Sequence, residues 1–98
     1  MGQAAARLGD STSHGTPLSP GPGSANVLIG GMPAWRVGQD THSCPLTTGT
    51  VPHAVGVVSV GSTTVLINGT PAVRMNDKVV ESGPPNTILS GDITVLIG

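Results

Sequence analysis

The apolar residues of this chain gather into short β-branched clusters, set apart by glycine, proline and small polar residues. Val27-Leu28-Ile29, Val65-Leu66-Ile67 and Val95-Leu96-Ile97 are the clearest of them, and short runs of this kind favour strands. The first two are followed by Gly30-Gly31 and Asn68-Gly69. Both residues of each pair can take positive φ, which is what a two-residue hairpin turn demands. Pro33 and Pro71 then open the return strand, a position where a missing N–H is tolerated. The pattern predicts an all-β fold of short hairpins with few or no helices.

These hairpins repeat. Residues 24–38 align with residues 62–76 without a gap, so that Ser24 falls on Ser62 and Arg36 on Arg74, a constant offset of 38. Both copies read Val-Leu-Ile, a turn, then Pro-Ala-x-Arg. Thr94 to Gly98 begins a third copy, and Ala5 to Asp10 supplies its missing half. A β-solenoid would call for more uniform spacing between copies, and chance would not hold the identities in one frame. The expectation is one domain, residues 1–98, closed into a small pseudo-threefold cone whose third hairpin is split between the two chain ends.

Composition shows that such a body is short of core. The chain has no Phe or Tyr and a single Trp, so the side chains that dominate ordinary cores are nearly missing. Gly 15 and Pro 9 raise the question of disorder. Charged residues at only 9% and a net charge of −1 argue against it. A domain of this size with so little core needs a staple. Cys44 is the only cysteine, which leaves a metal, a partner chain or both. Four Lys+Arg cannot form the basic stripe that nucleic acid requires. No leader or membrane-length apolar run is visible, so synthesis and folding in a cytoplasm are expected.

The strong metal-binding side chains are His14, His42, Cys44 and His53. His42 and Cys44 stand two apart, on one face of an extended strand. His14 follows Arg7-Leu8-Gly9-Asp10 much as His42 follows Arg36-Val37-Gly38, so units related by an axis can aim both at one point. Three imidazoles and a thiolate make a closed tetrahedral set of the kind zinc prefers, with iron a weaker match. A catalytic zinc would keep a water position and a nearby base. The only glutamate, Glu81, lies far along the chain, and the expectation is a structural site.

Pro71-Ala72-Val73-Arg74, echoed by Pro33-Ala34-Trp35-Arg36, resembles the motif that gives the PAAR-repeat family its name. The resemblance extends through Arg7-Leu8-Gly9-Asp10-Ser11-Thr12-Ser13-His14-Gly15 and Ser62-Thr63-Thr64-Val65-Leu66-Ile67-Asn68-Gly69. Trp35 and Val73 depart from the motif's small residue, and Asn76-Asp77 stands where Gly-Asp is typical. The resemblance implies a conical tip, carrying one structural zinc on His14, His42, Cys44 and His53 near its apex. It implies docking, as a monomer, on a trimeric β-helical spike: the valine-glycine-repeat protein (VgrG) of type VI secretion systems or the central spike of contractile phage tails. Such a tip would touch a target membrane in passing, carry effectors non-covalently and leave the cell with the apparatus.

On this reading the base that meets the spike is Val27, Leu28, Ile29, Val65, Leu66, Ile67, Val95, Leu96 and Ile97, and no substrate is turned over. Two rival readings are a minimal zinc hydrolase and a free-standing zinc-stabilised adaptor for another trimer. The pairs Arg7/Asp10, Arg36/Asp40 and Arg74/Asp77 recur once per unit and read as locally paired turn charges in preference to spike contacts.

Overall fold

The computed structural model describes residues 2–21, 23–81 and 86–97, and Gly98, which ends the third sequence copy, lies outside them. Every regular element among the described residues is a β-strand, in keeping with the all-β expectation. They are β1 (Gln3–Ala5), β2 (Pro20–Gly21), β3 (Leu28–Ile29), β4 (Met32–Pro33), β5 (Thr41–Thr48), β6 (Val51–Val58), β7 (Leu66–Ile67), β8 (Thr70–Pro71), β9 (Lys78–Val80), β10 (Asn86–Thr87) and β11 (Asp92–Ile97). The molecule measures 38 × 25 × 22 Å along its principal axes.

Three two-stranded units share one register. Ile29 faces Met32 and Leu28 faces Pro33 in β3–β4, while Ile67 faces Thr70 and Leu66 faces Pro71 in β7–β8. In β1–β11, Ile97 faces Gln3 and Leu96 faces Ala4, the same hairpin built from the two chain ends. Gly30 and Gly31 have φ of 59° and 84°, and Asn68 and Gly69 have 53° and 81°, the doubly left-handed turn the dipeptides predict.

Backbone hydrogen bonds join these units into a closed cycle. Trp35 N–H donates to Ala6 O (3.1 Å), Val73 N–H to Trp35 O (3.1 Å), and Ala6 N–H returns to Val73 O (3.0 Å). A second cycle runs from Leu8 N–H to Pro33 O (2.9 Å), Val37 N–H to Pro71 O (3.0 Å) and Met75 N–H to Ala4 O (2.7 Å). An open solenoid cannot close such a loop, so the pseudo-threefold ring is a property of the backbone itself. Inside it Ala5, Ala34 and Ala72 pack with Ile29, Ile67 and Ile97. The ring is tight enough that a Cβ on Gly61 would lie 2.5 Å from Ala72 O, and one on Gly91 2.6 Å from Ala5 O.

Each unit ends in the same ion pair. The carboxylates of Asp10, Asp40 and Asp77 accept from the backbone N–H of Arg7, Arg36 and Arg74 at 2.7–2.8 Å and from their guanidinium groups at 2.9–3.2 Å. The pairs are thus local turn clasps with the aspartates buried. The hydrogen bond to Asp10 raises the Arg7 pKa against the opposing effect of burial, and Asp40 does the same for Arg36.

The segments between units do not repeat. They supply β2, the long β5–β6 hairpin, β9 and β10, which form one antiparallel five-stranded sheet in the order β10-β9-β6-β5-β2. The main apolar core lies at the seam between sheet and ring. Ala6, Trp35 and Val73 come from equivalent ring positions, while Leu18, Val58, Val79 and Ile88 come from the connecting segments, all nearly or fully buried. The chain's one large aromatic therefore sits where the two halves meet.

Candidate metal centre

The connecting segments converge on a cluster of donor atoms. The ligating atoms of His14, Cys44, His53 and Glu81 all lie within 4.8 Å of one another. Cys44 and His53 come from the facing strands β5 and β6, where Cys44 pairs with Ala54. His14 comes from the loop before β2, and Glu81 directly follows β9. Each of the three connectors thus contributes at least one donor.

Their spacing suits a tetrahedral cation. Zinc bond lengths imply edges of about 3.3 Å between nitrogen or oxygen ligands and about 3.6 Å from nitrogen to sulfur. Cys44 Sγ lies 3.7 Å from His14 Nδ1 and 3.5 Å from His53 Nδ1. Glu81 Oε1 lies 3.3 Å from His53 Nδ1 and 2.8 Å from His14 Nδ1, the last pair drawn in to hydrogen-bond distance. The imidazoles of His14 and His53 are tilted at 45° with centroids 4.8 Å apart. Both Glu81 oxygens are buried and complete no hydrogen bond of good geometry among the described residues, a costly state for a carboxylate without a cation. Two neutral imidazoles, a thiolate and a carboxylate would balance a divalent charge. The residues present fit a metal ion.

Three of the four ligands expected from sequence are therefore brought together: His14, Cys44 and His53. His42 shares the Cys44 face of β5, as the two-residue spacing predicts, but stands outside the group. It is fully buried, and its Nε2 lies 3.0 Å from Thr16 Oγ1 and 3.3 Å from Asn86 Nδ2. Burial lowers its pKa, with Glu81 pulling the other way. The place expected for His42 is taken in this structure by Glu81, which corrects the expectation that the only glutamate lies away from the centre. Glu81 is remote from the other donors in sequence but close in the sheet, because β9 pairs with β6. Asn86 was also missed. Its Oδ1 accepts from His14 N–H (2.9 Å) and Ser13 Oγ (3.2 Å).

The nine strand residues expected to form a spike-facing base divide by position. Ile29, Ile67 and Ile97 are 8%, 6% and 4% exposed and belong to the ring core. Leu28, Leu66 and Leu96 stand 59%, 61% and 61% exposed. Val27 and Val65 are partly buried against the core, and Val95 is exposed. Strand alternation is the cause, since a strand packing one face on the ring turns its neighbours outward. The outward leucines form a matched set.

No curated protein matches the chain. The family model for the PAAR motif matches residues 8–84 and again 48–98, so the two matches together cover residues 8–98. The matches take in the two continuous hairpins, β11 and the donor cluster, and leave out only residues 1–7; the chain belongs to the PAAR-motif family.

Proposed function

We propose that residues 1–98 form a metal-stapled tip that caps a trimeric β-helical spike of the VgrG or phage central-spike type, one tip per trimer. The family is one of structural spike tips. The observation that carries the reading for this chain is the closed ring with its three equivalent leucines, exposed to within 2% of one another (59%, 61% and 61%). One polypeptide with threefold edges can meet three identical subunits in equivalent ways. Exposed Leu28, Leu66 and Leu96 give each subunit the same apolar contact, which a monomer in water gains nothing from displaying.

His14, Cys44, His53 and a fourth donor, Glu81 as the chain stands or His42 beside it, would hold zinc. The ion supplies a cross-link whose binding free energy counts toward folding. The residues around it tie three connectors together in a chain with a single cysteine. Four protein donors fill a tetrahedral shell, which favours a structural role over hydrolysis. The tip leaves the cell on the spike, with effectors carried non-covalently.

The test is binding of the L66D/L96D double variant to a trimeric spike, with circular dichroism as the check on folding. A folded variant that no longer binds supports the leucine base, and a folded variant that still binds rejects it. Native mass spectrometry of protein purified without added metal should show one zinc per monomer. Metal-dependent hydrolytic activity that disappears in H53A would favour the enzyme reading instead.

A further inference from the structure

The two faces of the five-stranded sheet differ in what they pack against. Side chains alternate along a strand, and residues opposite one another in a ladder share a face. Val58 and Val79 are paired and buried in the seam, and His42 and Cys44 are buried on β5. The alternate positions turn outward: Thr41 and Ser43 on β5, Val55 and Val57 on β6, Lys78 and Val80 on β9. The ladder makes them one surface, since Ser43 faces Val55, and Val57 faces both Thr41 and Val80.

An antiparallel sheet with one solvated face carries polar residues there. Here two interior strands carry valine instead. Val55 is 60% exposed, Val80 is 54% exposed, and Val60, just beyond β6, is 70% exposed. Past the Val58–Val79 pair lies a groove of about 350 Å³, lined by Ser59, Val60, Asn76, Asp77, Lys78 and Val80. Val80 belongs to both, so groove and valine face are continuous. Valines displayed on interior strands mark a face suited to a covering layer.

Charge selects what covers it. Of the four Lys and Arg residues, Arg7, Arg36 and Arg74 are clasped by aspartates of their own units. Lys78 is exposed at the groove and makes no ion pair among the described residues. A second copy of the chain has no carboxylate to spare for it. Of the five acidic residues, Asp10, Asp40 and Asp77 are held in the clasps, Asp92 stands beside Arg7, and Glu81 is drawn into the donor cluster. A matching anion would come from a different protein.

We propose that the outer face of the sheet is a docking surface for a partner protein whose covering segment is apolar and sets a carboxylate against Lys78. The surface shares no residue with the leucine base or the donor cluster, so the proposal goes beyond the tip reading and does not rest on it.

The experiment follows the valine methyl signals of the full chain by NMR during titration with a capped helical peptide whose leucine stripe is bordered by glutamate. A control peptide carries lysine in place of the glutamate. Val55, Val57, Val60 and Val80 should shift together with the glutamate peptide, while Val27, Val65 and Val95 on the ring stay in place. The glutamate peptide should bind roughly two- to fivefold more tightly than the lysine peptide, the scale of an exposed ion pair. K78E should reverse that order and K78Q should abolish it. V55T/V80T should weaken both peptides by roughly tenfold, through lost apolar contact.

No saturable shift at the four valines, or shifts without a charge preference, overturns the proposal. So does a concentration-dependent shift of the same signals without peptide, which would make the face a contact between copies of this chain. Phosphatidylcholine vesicles that perturb the four valines equally in the wild-type and K78E chains, where the glutamate peptide does not, would assign the face to a lipid surface instead.

Discussion

The hairpin ring and the connector sheet are made by one short chain on opposite plans. The ring is held by repetition. Three units with one register donate backbone hydrogen bonds around a cycle, and alanines and isoleucines fill the small space inside. The sheet has no internal symmetry, and its strands come from three segments of different length. What the sheet lacks in repetition it makes up in side-chain chemistry: the donor cluster, His42 and Asn86 all belong to the connectors. Repetition stabilises the ring, and the donor side chains are concentrated in the sheet that does not repeat.

The comparison breaks most visibly if the metal is removed. Chelation, or C44S, should cost several kcal/mol, since metal binding and folding are coupled in small domains of this kind. For a chain of this size a loss of about 4 kcal/mol corresponds to a fall of about 20 °C in Tm. Thermal unfolding with and without chelator measures it. The loss should fall on the sheet first, so amide exchange should accelerate in β5, β6 and β9 before the ring amides of Ala6, Trp35 and Val73. Uniform acceleration in both halves would show that the two do not differ in what holds them.

Next in size is the seam. Trp35 is fully buried where ring and sheet meet, packed with Leu18, Val58, Val79 and Ile88. W35A should cost about 3–5 kcal/mol, the range for a large aromatic removed from a core. Unlike chelation it should loosen both halves together, read by the same exchange experiment.

How much of this was legible in the sequence follows the same division. The ring could be read because repetition is a sequence property. Val-Leu-Ile, the turn dipeptides and Pro-Ala-x-Arg each recur, and even the split hairpin could be assembled from the fragments at the two ends. The copies do begin earlier than the eye finds them. Gly23, Gly61 and Gly91 occupy equivalent places, and Asp92 stands where the other units have Ser24 and Ser62. Asp92 accepts from Thr94 N–H and Oγ as Ser62 Oγ accepts from Thr64 and Val65 N–H, so a change of residue type hid a conserved turn. The donor cluster was legible only as far as residue type could carry it. His14, Cys44 and His53 are conspicuous in a chain with few titratable groups. Glu81 and Asn86 are not, because their nearness depends on β9 pairing with β6 and on Thr12 bridging Ile88, which no spacing rule reports.

Gly61 tests the tightness of the ring without touching the metal. A Cβ there would lie 2.5 Å from Ala72 O and 2.6 Å from Val37 Cγ2, and neither the backbone nor the close-packed valine can yield freely. G61A should therefore cost about 1–3 kcal/mol through overpacking, measured by denaturant unfolding. Metal affinity should stay within a small factor of the wild type, which is the mirror image of the C44S result.

The smallest effect has the opposite sign and separates the two halves most finely. Among the described residues other than glycine, positive φ occurs at Asn68, Asn76 and Ala54. The two asparagines belong to ring units and tolerate the left-handed region. Ala54, with φ of 59°, lies in the sheet directly after His53 and opposite Cys44. An L-residue with a Cβ is held there at a cost of about 1–2 kcal/mol, offset in a glycine variant by about 0.4–1 kcal/mol of added freedom in the unfolded chain. A54G should consequently stabilise the metal-free protein by about 0.5–1 kcal/mol. If the strained backbone serves to hold His53 toward Cys44, the same variant should bind zinc more weakly even as its apo form unfolds at higher denaturant. Stabilisation with unchanged zinc affinity would make the strain an incidental feature of the β5–β6 pairing, and destabilisation would mean that Ala54 is held by its methyl group and not in spite of it.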